Sequence, residues 1–312
     1  MKIFRYVTLP DYLFMGLVLL SITAGAGLIY LNHIDFHYHI VMLFAADVTT
    51  LSWLQLLLSF FMSFVFLFYG YSIRRESPRS STFLCGLGLF YWCLLANMIL
   101  VNSVQSTPFS PIDMWLLKAD RMMGFNTSIM MAWTHNHPHI HKLFNIAYAG
   151  LVFELLGIPI LLTIFNGRRS LEIFYIAQLS SMIVGSLIYY FWPTVAPSGI
   201  VHSPYFLHMQ DDTSQRFYQI HHYLKPTSQD GGLIAFPSFH VIWAILLTNA
   251  CRAKKIFFYP MVCFNIVVIL STVFLGWHYV TDVIGGFVVA IGAIWFAEWV
   301  YEDGSNDRSA RV

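Results

Sequence analysis

A histidine and an aspartate four residues apart, His278 and Asp282, open a long apolar run within Gly276-Trp277-His278-Tyr279-Val280-Thr281-Asp282-Val283-Ile284-Gly285-Gly286. On a helix that spacing predicts both side chains on one face, one turn apart. An ionisable pair is costly at membrane depth and marks a functional site by default; the alternative is a pair of interfacial residues touching headgroups. A second stretch, Ala235-Phe236-Pro237-Ser238-Phe239-His240, adds another histidine. Such groups could relay protons in a transporter. His240, His278 and Asp282 could also hold a metal as a facial triad for assisted hydrolysis.

The elements that must position these groups are membrane helices. Hydrophobic residues make up 57% of the chain and charged residues 11%, and the apolar residues form runs long enough to cross a bilayer. The fold class is therefore all-α, a polytopic transmembrane helix bundle. A net charge of +1 without a long basic cluster gives no reason to expect nucleic acid as a partner. Cys85, Cys93, Cys251 and Cys263 fall inside or at the ends of apolar runs, so no disulfide is expected. The first apolar run lacks a clear cleavage site and reads as a span, not a signal peptide.

Eight spans are expected, at roughly 11–31, 51–72, 82–104, 141–165, 171–192, 236–251, 256–276 and 279–300. Lys2 and Arg5, then Arg74, Arg75 and Arg79, Arg168 and Arg169, Arg252, Lys254 and Lys255, and Arg308 and Arg311 fall in alternate connections. Those twelve of the seventeen basic residues share one side under this count. The positive-inside rule makes that side cytoplasmic, with both termini there. Residues 1–81 then form two accessory helices, 82–301 a six-helix core, and 302–312 a polar, frayed tail.

The outer connections are 32–50, 105–140, 193–235 and the corner at Trp277. Segment 112–134 is apolar but carries Asp113, Lys118, Asp120 and Arg121, and Gly124-Phe125-Asn126 breaks it; one or two interfacial helices are expected. The stretch 193–235 is long enough to be a lid or binding loop. His135, His137, His139 and His141 lack a Cys or carboxylate to complete a tetrahedral metal set. Glu154, mid-span, reads as a structural carboxylic acid or a relay group. Gly286 and Ala290 permit close helix approach.

The sixth and eighth spans both run inward, so both present N-terminal N–H groups and positive dipole ends to the outer face. Pro237 suits the first position of a helix. The N–H groups of Ser238, Phe239 and His240 would then point out toward an anion such as phosphate. Pro237-Ser238-Phe239-His240 and His278-x-x-x-Asp282 resemble the second and third motifs of the type 2 phosphatidic acid phosphatase superfamily. Ala119-Asp120-Arg121-Met122-Met123-Gly124-Phe125, Tyr190-Phe191-Trp192-Pro193 and Gly276-Trp277-His278-Tyr279 resemble the branch containing inositol phosphorylceramide synthases.

That resemblance implies His278 as nucleophile on phosphorus, Asp282 as the group holding its other ring nitrogen, and His240 as general acid and then base. It implies that Ser238 donates to a phosphoryl oxygen, and that neither metal nor cofactor is required. The superfamily's first motif, lysine followed seven residues later by Arg-Pro, is missing, and Ser271-Thr272 stands where the third motif begins Ser-Arg. Arg216, Lys225, Lys118 and Arg121, besides Lys142, are the outer cations that could replace them. The expected partners are membrane lipids, a phospholipid donor with a lipid or polyol hydroxyl acceptor. The expected activity is headgroup transfer at the extracytoplasmic face, with lipid phosphatase and then transporter as alternatives.

Overall fold

The computed structural model describes residues 9–32, 53–165, 167–224, 226–227 and 234–309, which form eleven α-helices and no strand. In chain order they are α1 (Leu9–Leu31), α2 (Trp53–Ser72), α3 (Pro78–Ser103), α4 (Asp113–Met122), α5 (Thr127–His135), α6 (Pro138–Phe165), α7 (Gly167–Phe191), α8 (His208–His221), α9 (Phe239–Ala250), α10 (Lys255–Phe274) and α11 (Val280–Ser309). Six are long and apolar enough to cross a bilayer: α1, α3, α6, α7, α10 and α11. Two shorter apolar helices, Phe60–Ser72 within α2 and all of α9, stand where the second and sixth spans are expected. Lys225, one of the expected cations, lies outside the described residues.

Helix α7 is the interior one. Its apolar window is 72% buried, against 22–39% for the other five long helices, because α1, α3, α6, α9 and α11 all pack on it. Phe14 and Val18 of α1 are buried in the same apolar core as Tyr175 of α7. The first two helices therefore wrap the α3 side of the bundle, α2 through Gly70 and Gly88, where an added Cβ would meet Cys85 and Leu67 within 2.8 Å.

Segment 112–134, where one or two helices are expected, forms two, α4 and α5. Gly124 takes φ +87°, which a side chain resists, and Asn126 caps α5 by accepting the Ile129 N–H at 3.2 Å. Leu116 and Leu117 of α4 are buried, together with Asp113 and Asp120, while Lys118 and Arg121 are exposed. The long connection 193–235 is not a bare loop. It carries a 3-10 turn at Pro197–Gly199 and the fourteen-residue α8.

Two expected boundaries move. Helix α11 continues past Glu302, where the polar tail begins, to Ser309, with no proline to stop it. Pro237 does not open a helix. It follows Phe236 in cis and precedes Ser238, which is the cap residue of α9. Twelve residues rise only about 18 Å, so α9 starts within the bundle, and Ile234, Ala235, Pro237 and Ser238 leading into it are all buried.

Candidate active site

Helix α10 ends at Phe274, and Gly276 turns the chain with φ +76°. A Cβ at that position would come within 2.4 Å of Met131 Sδ and 2.9 Å of Phe206. The turn folds Trp277 and His278 back, so both backbone N–H groups donate to the Thr272 carbonyl at 3.0 Å. His278 thus precedes α11 instead of riding on it. The expected shared helical face is corrected: the pair meets because Asp282, third residue of α11, bends its carboxylate back over the helix start. Asp282 Oδ2 accepts the Tyr279 N–H at 2.9 Å and lies 3.3 Å from His278 Nδ1. That is the return half of a capping box, with an aspartate serving the helix end and the histidine together.

His278 is 4% exposed and Asp282 fully buried. Burial pulls the His278 imidazole down to about 4, against a smaller opposing contribution from the backbone at Ala235. With Nδ1 facing Asp282, Nε2 is the nitrogen left for chemistry.

Residue Asp120, at the far end of α4, holds the next two residues. Its Oδ2 accepts the Val280 N–H at 2.8 Å, and its Oδ1 accepts the Thr281 N–H at 2.9 Å and the Thr281 hydroxyl at 2.6 Å. Asp113, two turns earlier on α4, accepts the Val195 and Ala196 N–H groups at 2.9 and 3.1 Å. Burial raises Asp113 to about 7, against the lowering effect of the Val195 bond. Ala196 sits at φ +79°, a strained angle for a residue with a side chain.

The mouth of α9 is tied to α11. The Ser238 N–H donates to the Asp282 carbonyl at 3.1 Å, so it does not point outward as expected. Ser238 Oγ accepts from the Val241 N–H at 3.5 Å. The Phe236 N–H donates to Thr194 Oγ1 at 3.1 Å. Gly286 makes the close approach possible: a Cβ there would fall 2.8 Å from the Ser238 carbonyl. Fully buried Ala290 continues the small face. The outcome is that the His240 and His278 rings lie 5.6 Å apart, centroid to centroid. Tyr148 of α6 stacks on His240 at 4.3 Å and on Trp277 at 5.1 Å, fixing both rings.

These rings open onto a cleft whose walls include Gln105, Tyr148, Tyr189, Thr194, Ala196, His221, His240, Trp277 and His278. Ser238 and Phe239 lie behind this wall. Of the expected cations, Lys118 and Arg121 are exposed, off the buried face of α4, and neither lines the cleft. Arg216 sits on α8 between Thr213 and Phe217, which line the cleft, and lies close enough to Tyr189 to act on it electrostatically. Glu154 is not in this wall; it lies beside Asn265 of α10.

Two residues in and behind the cleft carry no local sequence signal of their place, His221 and Asp120. His221 was one of a crowd of histidines, yet its ring lines the cleft, stacks on Phe217 at 3.9 Å, and has no hydrogen-bond partner for Nε2 among the described residues. Burial, then the neighbouring His222, hold it below its usual range. Asp120 was part of a recognised stretch, but its partners are 160 residues away and nothing local announces them.

No curated protein and no solved structure gives a significant match to this chain. A family does: the PAP2 superfamily matches residues 114–296, a stretch that starts in α4 and ends in α11 and so contains both histidines, Asp282 and Asp120. With six helices apolar enough to cross a membrane and a match over more than half of its length, the chain belongs to the PAP2 superfamily, as a membrane enzyme of phosphatase type.

Proposed function

We propose that this protein is an integral-membrane lipid phosphotransferase, transferring a phosphorylated headgroup from a phospholipid to a hydroxyl acceptor through a phosphohistidine on His278. The observation that carries the proposal is the pairing of a buried histidine, backed at Nδ1 by Asp282, with a second histidine 5.6 Å away in the same cleft. His278 Nε2 attacks phosphorus and forms the N–P bond as the bond to the leaving oxygen breaks. His240 gives that oxygen its proton. An acceptor hydroxyl then loses its proton to His240 and attacks phosphorus, and the N–P bond breaks. Asp282 holds the ring orientation and stabilises the positive charge that develops on the imidazole.

Charge on the phosphoryl oxygens is met by Arg216, which α8 holds next to the cleft-lining Thr213 and Phe217. The eight-span topology is part of the same proposal, with α2 and α9 completing six longer spans and both termini cytoplasmic. It puts the cleft at the extracytoplasmic face, alongside interfacial helices α4 and α5 with Trp115 and Trp133 at headgroup level. The sequence resemblance to inositol phosphorylceramide synthases favours a polyol or a second lipid as acceptor, and sphingolipid metabolism as the setting.

Purified protein incubated with labelled phospholipid and a polyol or ceramide acceptor tests this, with and without chelator, products being identified by mass. Transfer product in excess of free phosphate, insensitive to chelator, is the expected result. Hydrolysis that proceeds unchanged whatever alcohol is added would replace the transferase by a lipid phosphatase, and loss of turnover with chelator would replace the phosphohistidine by a metal site.

A further inference from the structure

Helix α4 contributes no side chain to the cleft, yet two of its carboxylates are buried, Asp113 at 1% and Asp120 at 2% exposure. Each grips chain that does form the site. Asp113 takes the N–H groups of Val195 and Ala196 in the cleft wall, and Asp120 takes Val280 and Thr281 behind the nucleophile. A carboxylate at a helix start can simply stabilise the helix, and a local serine or aspartate serves that purpose in most proteins. Here the group comes from a separate helix 160 residues distant and makes three bonds, the shortest 2.6 Å to the Thr281 hydroxyl.

The consequence for His278 is geometric. Its own N–H is held by the Thr272 carbonyl, that of Tyr279 by Asp282, and those of Val280 and Thr281 by Asp120. Four consecutive backbone groups are therefore fixed, and Asp120 supplies the two that no nearby residue supplies. Rotation of the first turn of α11 would carry Asp282 with it and swing the His278 ring away from in-line attack. Misplacing a reacting atom by about 1 Å costs on the order of 100-fold in rate.

We infer that Asp120 is a positioning residue for phosphoryl transfer, acting on the His278–Asp282 pair through the first turn of α11. The inference rests on the phosphohistidine reading for its kinetic part, and on geometry alone for its structural part. The experiment therefore has two readouts in the full-length protein: turnover of a labelled phospholipid, and the rate at which diethyl pyrocarbonate modifies His278, followed by peptide mass.

Asp120→Asn is expected to lower kcat by about 30- to 100-fold with KM within about twofold, and to speed His278 modification several-fold as the turn loosens. Met114→Ala, at an exposed position of the same helix, is the control, expected to leave His278 modification unchanged. Turnover within threefold of the parent, an unchanged modification rate, or equal acceleration in both variants would overturn the assignment. Should Asp120→Asn fail to fold, Thr281→Val removes one of the three bonds, with smaller losses of the same kind expected; unchanged kcat and modification would overturn it equally. If the parent protein turns over no lipid phosphate at all while Asp120→Asn still speeds modification, the functional reading falls and the positioning role stands.

Discussion

The two helix mouths that meet at the cleft are built in different ways. The start of α9 takes its side-chain cap from its own chain, at Ser238, and is tied to other segments only by single backbone donors, Phe236 to Thr194 and Ser238 to the Asp282 carbonyl. The start of α11 is organised from afar, by Asp120 of α4 below the helix and by Met131 and Phe206 crowding Gly276 ahead of it. A helix end that only has to exist can be capped locally. One that carries a nucleophile, on a residue outside the helix, needs its backbone fixed from several directions. The difference between the mouths teaches where the mechanism tolerates slack.

The largest expected effect lies at the nucleophile. His278→Ala should abolish turnover, with a loss of about 10⁴-fold or more, and should remove acid-labile phosphate from the protein in a rapid-quench labelling experiment. His240→Ala at the other mouth should behave differently, because a proton donor matters only when the leaving oxygen needs a proton. Its activity on aryl phosphates should survive far better than on lipid substrates, whose poor alkoxide leaving groups depend on the acid by about 10²- to 10⁴-fold. Equal loss on good and poor leaving groups would make the two mouths chemically alike and remove His240 from the acid role.

What was legible in the sequence divides along the same line. The membrane helices announce themselves by length and apolarity, which are local properties, and so do the break at Gly124 and the cap at Asn126. The two histidines and Asp282 were readable as motifs. Their relation was not, because the i, i+4 spacing suggested a helical face where the structure has a turn followed by a helix start. Asp120, His221 and the stack through Tyr148 depend on packing between segments remote in sequence, and no local pattern encodes that. The gripping role of Asp113 was hidden for another reason: a charged residue in an interfacial segment reads as solvated, and it is buried.

A smaller effect is expected at Gly276, and it sharpens the contrast between mouths. Alanine there must accept a left-handed angle, at a cost of roughly 1–2 kcal/mol, and must displace Met131. The melting temperature should fall, and the displaced turn should reduce kcat by more than the loss of folded protein explains. Gly157, where an added Cβ would meet nothing within 4 Å, is the control, and Gly157→Ala should change neither. A Gly276→Ala variant with normal turnover would mean that the approach to His278 is as tolerant as the approach to His240.

The smallest effect belongs to Ser238, and it decides what that residue is for. The side chain is fully buried, faces the Val241 N–H, and does not line the cleft. A residue so placed works as a cap, so Ser238→Ala should cost about 1 kcal/mol of stability, with kcat held within about threefold of the parent. Ser238→Thr keeps the capping oxygen and should recover part of that stability, limited by the space for an extra methyl next to Gly286. The resemblance to the superfamily motif gives the hydroxyl another task, donation to a phosphoryl oxygen. That task would leave a different trace: a drop in kcat of tenfold or more, corresponding to about 1.4 kcal/mol, at unchanged melting temperature. Thermal melts and turnover measured on one preparation separate the two, since a cap acts on the folded fraction and a donor acts on the transition state. Should the donor trace appear, the α9 mouth would hold substrate directly, and the contrast with α11 would narrow to how each mouth is held in place.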